Sequence, residues 1–135
     1  MSYKYGNTSI VRMIGVNPVL IRCAEIALSK SQHDMTIPNF GGLRTPEDQN
    51  SLFQKGYSKA DGYEKKSYHQ TGDALDVIPV IGGYKNEKAF RHFAGNMFSA
   101  WQMMIKANEN EGYILEWGGH WQNFIDVPHW QIVKR

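Results

Sequence analysis

Two segments in the second half of this 135-residue chain carry side chains that could do chemistry together. The first is Ser67-Tyr68-His69-Gln70-Thr71-Gly72-Asp73-Ala74-Leu75-Asp76, with His69 and Asp76 near its ends. The second is Asp126-Val127-Pro128-His129-Trp130, which adds another imidazole and another carboxylate. Zinc takes nitrogen and oxygen donors in a tetrahedron, and a catalytic zinc needs three protein ligands beside a water. A further, unligated carboxylate is needed to take a proton from that water. His69, Asp76, Asp126 and His129 supply such a set with one acid left over, which points to zinc-dependent hydrolysis.

The elements that must bring these segments together can be read from periodicity and caps. Asn17 before Pro18 starts a helix over residues 18 to 30, with Val19, Leu20, Cys23, Ala24, Ala27 and Leu28 at helical spacing. It is expected to be the first helix. Residues 35 to 43 read as a short strand running through Pro38 into Gly41-Gly42. Thr45-Pro46 opens a second helix over 46 to 55, with Asp48 near a capping-box position. Residues 56 to 66 have no periodicity and read as an exposed loop of the kind that often serves function. Its acids Asp61 and Glu64 fall far short of a calcium signature.

Residues 73 to 80 read as one strand, with Leu75 and Val77 on one face and Ala74, Asp76 and Ile78 on the other. Asp76 thus shares a face with small Ala74, which leaves room beside the carboxylate. Asn86 caps the longest helix, 87 to 108, whose stripe Phe90, Phe93, Met97, Trp101, Met104 and Ile105 is expected in the core. His92 falls off that stripe and is expected at the surface. Residues 113 to 117 and 129 to 133 read as the last two strands. Pro128 suits the entrance of the second, and the Val127-Pro128 bend can turn Asp126 and His129 toward one point. The order of elements predicts an α+β fold, helices against one small, mainly antiparallel sheet, in a single domain over residues 1–135.

Composition narrows the partners. A net charge of +2 without a long basic run gives nucleic acid binding no support. No run has the length of a membrane span. Cys23 is the only cysteine, so no intrachain disulfide forms, and its apolar surroundings predict a buried thiol. The N-terminus lacks the apolar stretch of a secretory signal, so the chain is expected to stay in the cytoplasm on synthesis and to act elsewhere after release. A monomer is expected.

The pattern Ser67-x-His69-x-x-Gly72-x-Ala74-x-Asp76 with Asp126-x-x-His129 resembles the motif pair of the LAS zinc peptidases. The resemblance reaches upstream to Gly42-Leu43-Arg44-Thr45 and downstream to Trp117-Gly118-Gly119-x-Trp121, about residues 35 to 133. That family includes D-alanyl-D-alanine carboxypeptidases, D-Ala-D-Ala dipeptidases and the L-alanyl-D-glutamate endopeptidases used as phage endolysins. The resemblance implies an LAS-like fold, Zn2+ held by His69, Asp76 and His129, and Asp126 as general base. It implies that Arg44 binds the substrate carbonyl and steadies the oxyanion. It also implies a peptidoglycan stem peptide as substrate.

The residues themselves leave rivals open. A buried carboxylate such as Asp76 is costly unless paired or metal-bound. His120 competes with His129 as third ligand, and Glu116 competes with Asp126 as base. Arg44 could instead pair with Glu47 or Asp48 on the following helix. Ser67 could hold a substrate carboxylate or the surroundings of His69, and no base is placed to make it a nucleophile. Trp117 and Trp121, with Trp130, are expected to wall the cleft. The compact, signal-less form favours an endolysin-type L-alanyl-D-glutamate endopeptidase. A D-alanyl-D-alanine carboxypeptidase or dipeptidase is the enzymatic alternative, and a non-catalytic zinc-containing cell-wall-binding protein the alternative of another class.

Overall fold

The structure, a computed structural model, describes residues 2–135. Its first helix precedes the expected one: α1 (Asn7–Arg12) is a six-residue helix whose one buried residue is Ser9. It has no apolar stripe, and tertiary bonds hold it instead. Ser9 Oγ lies 2.8 Å from Thr36 Oγ1, and Arg12 donates to the Ile37 carbonyl at 2.9 Å. Helix α2 (Pro18–Ser29) follows, where the Asn17 side chain accepts from the Val19 N–H. Asn17 Nδ2 in turn reaches Asp73 Oδ1 and the Tyr113 hydroxyl, tying the helix start to two segments distant in sequence.

The expected strand over 73 to 80 divides at Val77. Its first part, β2 (Ala74–Asp76), joins one sheet, and its second, β3 (Ile78–Pro79), pairs antiparallel with the two-residue β1 (Met35–Thr36). The single expected sheet is therefore two antiparallel sheets, one of them three-stranded in the order β2-β5-β4. Strand β4 is Tyr113–Trp117 and β5 is His129–Lys134. The Val77 N–H donates to Pro128 O, and Val80 N–H to Asp34 O, so the chain changes partners rather than continuing one ladder.

Helix α3 (Pro46–Gln54) is capped by Thr45, whose hydroxyl accepts from the Asp48 N–H. Helix α4 (Glu87–Lys106) is capped by Asn86 through the Ala89 N–H. Phe90, Phe93, Met97, Trp101 and Met104 are buried as its spacing implies, but Ile105 is 42% exposed. The alanines Ala89, Ala94 and Ala100 complete the buried face, and the Cys23 thiol of α2 reaches the Met97 carbonyl of α4 at 3.5 Å. Leu20, Cys23 and Leu28 of α2 join Leu75, Trp130 and Ile132 of the sheet in one apolar cluster. His92 is exposed, with Nδ1 3.1 Å from His33 Nε2.

Strand β5 lies at the centre of the larger sheet, and alternation divides its labour. Trp130 and Ile132 enter the apolar cluster, while His129 and Gln131 border the cleft on the other face. Register then fixes their neighbours: Asp76 lies across from His129, and Ala74 and Glu116 flank Gln131 from either side.

Gly72 explains itself in this frame. Its φ is +82°, and a Cβ there would run into the Gly15 carbonyl oxygen. The Gly72 carbonyl meanwhile accepts the Asn17 N–H at 2.8 Å. Gly72→Ala should therefore destabilise the protein by at least about 1–3 kcal/mol, from the left-handed backbone together with the displaced Gly15 segment. Thermal and urea melts of the purified variant check this, and an unchanged midpoint would contradict it.

Candidate metal centre and cleft

His69, Asp76 and His129 come from three different places and meet at one point. His69 sits in a single turn, Tyr68–Gln70, closed by a capping box between Ser67 and Gln70. Asp76 ends β2, where its N–H donates to the Gly41 carbonyl, and His129 begins β5 directly opposite. His69 Nε2 and His129 Nδ1 are 3.2 Å apart, and each is 3.3 Å from Asp76 Oδ1.

The outward nitrogens decide what those inward atoms are. His69 Nδ1 lies 2.9 Å from the Gly42 carbonyl, which only accepts, so the proton is on Nδ1 and Nε2 carries a lone pair. His129 Nε2 lies 2.8 Å from Gln131 Oε1, leaving a lone pair on Nδ1. Asp76 Oδ1 is buried and has no hydrogen-bond partner. Three lone-pair donors therefore converge with nothing to neutralise them. A tetrahedral zinc with bonds of about 2.0–2.1 Å sets its ligands about 3.3–3.4 Å apart. The triangle fits a metal of that kind.

Electrostatics show how strongly the three groups are coupled: burial pushes the His129 imidazole down, but its contacts with Asp76 outweigh this and raise it, so a proton competes with a cation for the triangle. Burial alone pushes the Asp76 carboxyl up, but the two imidazoles reverse this and hold it well below the ordinary carboxylate range. Burial pushes the His69 imidazole down, toward the neutral ring that ligates metals. Asp76 Oδ2 is separately engaged, 3.3 Å from Arg44 Nη2.

The triangle borders a cleft of about 750 Å³. Asp126, Arg44, Ser67 and Trp121 line it too. Asp126 is half-buried, and burial followed by the charge of Asp76 pushes its carboxyl up to about 6. Gly118 explains its placement: the Asp126 N–H donates to the Gly118 carbonyl, and a Cβ on Gly118 would strike the Asp126 carbonyl oxygen. Arg44 does not pair with Glu47 or Asp48. It donates from Nε to the Phe40 carbonyl at 2.7 Å, from Nη1 to Gln49 Oε1 at 3.0 Å, and from Nη2 to Asp76. Five N–H groups less these three leave two for a ligand. Phe40 supplies its carbonyl from φ +59°, a costly backbone for an aromatic residue.

Several expected roles move. Ser67 borders the cleft, but its hydroxyl accepts the His69 N–H and so helps close the turn. Trp117 does not wall the cleft. It stacks on buried Trp130 at 5.5 Å and donates from Nε1 to the Val127 carbonyl, anchoring the loop that carries Asp126. His120 is exposed between Phe98 and Trp117 and stands outside the triangle. Glu116 stands behind Gln131, whose Nε2 donates to it at 2.7 Å, and does not line the cleft.

Two side chains matter that sequence reasoning did not single out. Gln49 is fully buried; it accepts from Arg44 and donates to Ser58 Oγ and the Ala60 carbonyl, joining Arg44 to the 56–66 loop. Gln131 backs His129. A buried glutamine in a polar helix or an alternating strand carries no local signal, because its importance lies in partners brought from elsewhere.

Known proteins share this arrangement of the chain. The sequence model of the family described as phage L-alanyl-D-glutamate peptidase matches residues 1–131. The L-alanyl-D-glutamate peptidase of Escherichia phage T5 is 31% identical over 121 residues, 90% of this chain and 83% of that protein. The enzyme of the same name from Listeria phage A118 is 36% identical over 90 residues, 67% of this chain. The match spans only 28% of that longer protein. The crystal structure of the L-Ala D-Glu endopeptidase ChiX from Serratia marcescens superposes with a TM-score of 0.78 at 26% identity, covering 98% of this chain and 91% of that one. A match over nearly the whole length establishes the relationship: this chain belongs to the phage L-alanyl-D-glutamate peptidase family.

Proposed function

We propose that residues 1–135 form a single zinc peptidase domain that cuts the stem peptide of peptidoglycan between L-alanine and D-glutamate, acting on the cell wall as an endolysin. The observation that carries the chemistry is the convergence of three unneutralised lone pairs from His69, Asp76 and His129 on the wall of a cleft. The scissile bond is supported by the relatives, each named for a peptidase of L-alanine and D-glutamate. Among the described residues no helix is long and apolar enough to cross a membrane.

His69, Asp76 and His129 would hold the zinc. When bound, zinc acidifies water and polarises a carbonyl. Asp126 takes the proton from the attacking water and returns it to the amine of the D-glutamyl product, so the peptide C–N bond breaks as water adds across it. Burial raises the Asp126 carboxyl, which favours its taking up a proton, as this double duty needs. Arg44, on the cleft wall with two N–H groups unengaged, would offer them to the oxygen where negative charge develops. The substrate side also fits. Glutamate linked through one carboxyl keeps the other free, and Lys59, Lys65 and Lys66 border the cleft. One chain supplies every group of the site.

The reading is tested by digesting purified sacculi and sequencing the fragments by mass spectrometry. New amino termini at D-glutamate are expected, with L-alanine left on the glycan side, one zinc per chain, and loss of activity in chelator. Release of D-alanine instead would favour a carboxypeptidase, and binding to sacculi without cleavage would favour a non-catalytic wall protein.

Asp126→Asn should retain zinc and lose turnover by about 10²–10⁴-fold. The same substitution should stabilise the metal-free protein above pH 6. In the fold the Asp126 carboxyl titrates at about 6, against 3.8 ordinarily, so its ionisation weakens the folded state as pH rises through that window. Below about pH 3 the group is largely protonated in both states and the difference should vanish. Melts of variant and wild type in chelator at pH 3 and 8 measure it; the same difference between the two proteins at both values would remove the buried charge from the argument.

Arg44→Ala, assayed with zinc in excess, should depress kcat more than it raises KM, because an oxyanion contact strengthens in the transition state. Arg44→Lys should recover only part of the loss, since a single ammonium cannot serve Phe40, Gln49, Asp76 and substrate at once. Near-normal kcat in Arg44→Ala would remove it from the catalytic groups.

A further inference from the structure

Of the two imidazoles, His69 has a backbone carbonyl behind it, which cannot turn round. His129 has the side-chain amide of Gln131, which can. An amide presents an oxygen on one edge and an NH2 on the other, and rotation by half a turn exchanges them. With its oxygen toward His129, Gln131 accepts a proton held on Nε2 and leaves Nδ1 free to face Asp76 and His69. With its NH2 toward His129, it would draw the lone pair to Nε2 and put the proton on Nδ1. That proton would then point into the triangle where the metal belongs.

Glu116 selects between these states. Register sets it directly across from Gln131 on β4, with Ala74 on the other flank too small to compete. Its Oε1 is 2.7 Å from Gln131 Nε2. A carboxylate only accepts, so the NH2 edge must face it and the oxygen edge must face His129. The orientation of the amide follows from the donor and acceptor inventory alone. Gln131 is only 7% exposed, so solvent offers its two edges few alternative partners. Neither residue is used in the proton transfers assigned to Asp126 or in the contacts assigned to Arg44.

We propose that Glu116 and Gln131 are positioning residues that lock His129 as its Nε2–H tautomer, ready to ligate through Nδ1. The relay rests on the reading of His69, Asp76 and His129 as zinc ligands. Groups behind a ligating histidine commonly set metal affinity by 10–100-fold when removed. Here the control passes through two side chains in series, so the effect of the outer one must depend on the inner one.

Zinc dissociation constants, read by competition with a chromophoric chelator on the purified full chain, test this without an activity assay. Gln131→Leu should weaken zinc by about 10–100-fold. Glu116→Gln should weaken it in the same direction, because an amide at 116 can donate and so permits Gln131 to turn. In the double variant Glu116→Gln should add nothing to Gln131→Leu, the signature of two groups acting through one path. Long-range 15N–1H spectra of the metal-free wild type, taken at a pH where its imidazoles are neutral, should place the His129 proton on Nε2. Far-UV circular dichroism of the metal-free proteins separates lost affinity from lost fold. If Gln131→Leu does not fold, half-buried, isosteric Glu116→Gln carries the test. Wild-type affinity in Glu116→Gln, additive losses in the double variant, or a proton on Nδ1 would each overturn the relay while leaving the metal centre standing. A wild type that binds no zinc would overturn the metal centre and the relay with it.

Discussion

Two ring nitrogens and a carboxylate oxygen, held 3.2–3.3 Å apart with their lone pairs facing inward, repel one another unless a cation sits between them. Holding them there takes structure on every side. The Gly42 carbonyl orients His69, Gln131 orients His129, and Arg44 together with the Gly41 carbonyl secures Asp76 from behind. The buried apolar cluster under β5 supplies the rigidity, since a strand pinned by Trp130 and Ile132 cannot rotate His129 away. Each part of the fold answers a demand that begins at this triangle.

The sheet meets that demand with alternation. One face of β5 is committed to core and the other to chemistry, so a register shift of one residue would bury Gln131 in the apolar cluster and expose Trp130. The close backbone approaches at Gly72 and Gly118 serve the same end. The first seats the His69 turn against the Gly15 segment, and the second lays the Asp126 loop against the end of β4. Trp117, stacked on Trp130 and bonded to Val127, then holds that loop down.

The groups proposed for catalysis sit in environments that work against the stability of the fold. Asp126 is raised because burial and the neighbouring Asp76 disfavour its charge, while Phe40 carries a left-handed backbone to bring its carbonyl to Arg44. Such costs persist only where surrounding packing over-determines the geometry. Gln49, fully buried with its amide oxygen and nitrogen both engaged, shows how: it couples Arg44 to the 56–66 loop, which also lines the cleft.

Much of this was legible in the chain itself. The caps at Asn17, Thr45 and Asn86, the stripe of α4 and the alternation of the last strand are local patterns, and local patterns survive into the structure. The spacing of His69, Asp76 and His129 singled out three side chains that do converge, because metal ligation demands particular side chains whatever surrounds them. Other features depended on partners far away in sequence. Helix α1 has no apolar stripe and is held by Thr36 and Ile37; the strand at 73 to 80 divides because Val77 finds Pro128 while Val80 finds Asp34. Trp117, Glu116, Gln49 and Gln131 acquired their roles the same way. Sequence alone determined which residues could do chemistry, because donor type and period are properties of the residue and its near neighbours. Only the tertiary structure decided which of them touch, because a hydrogen-bond partner or a cross-strand neighbour is chosen by the packing of the whole chain.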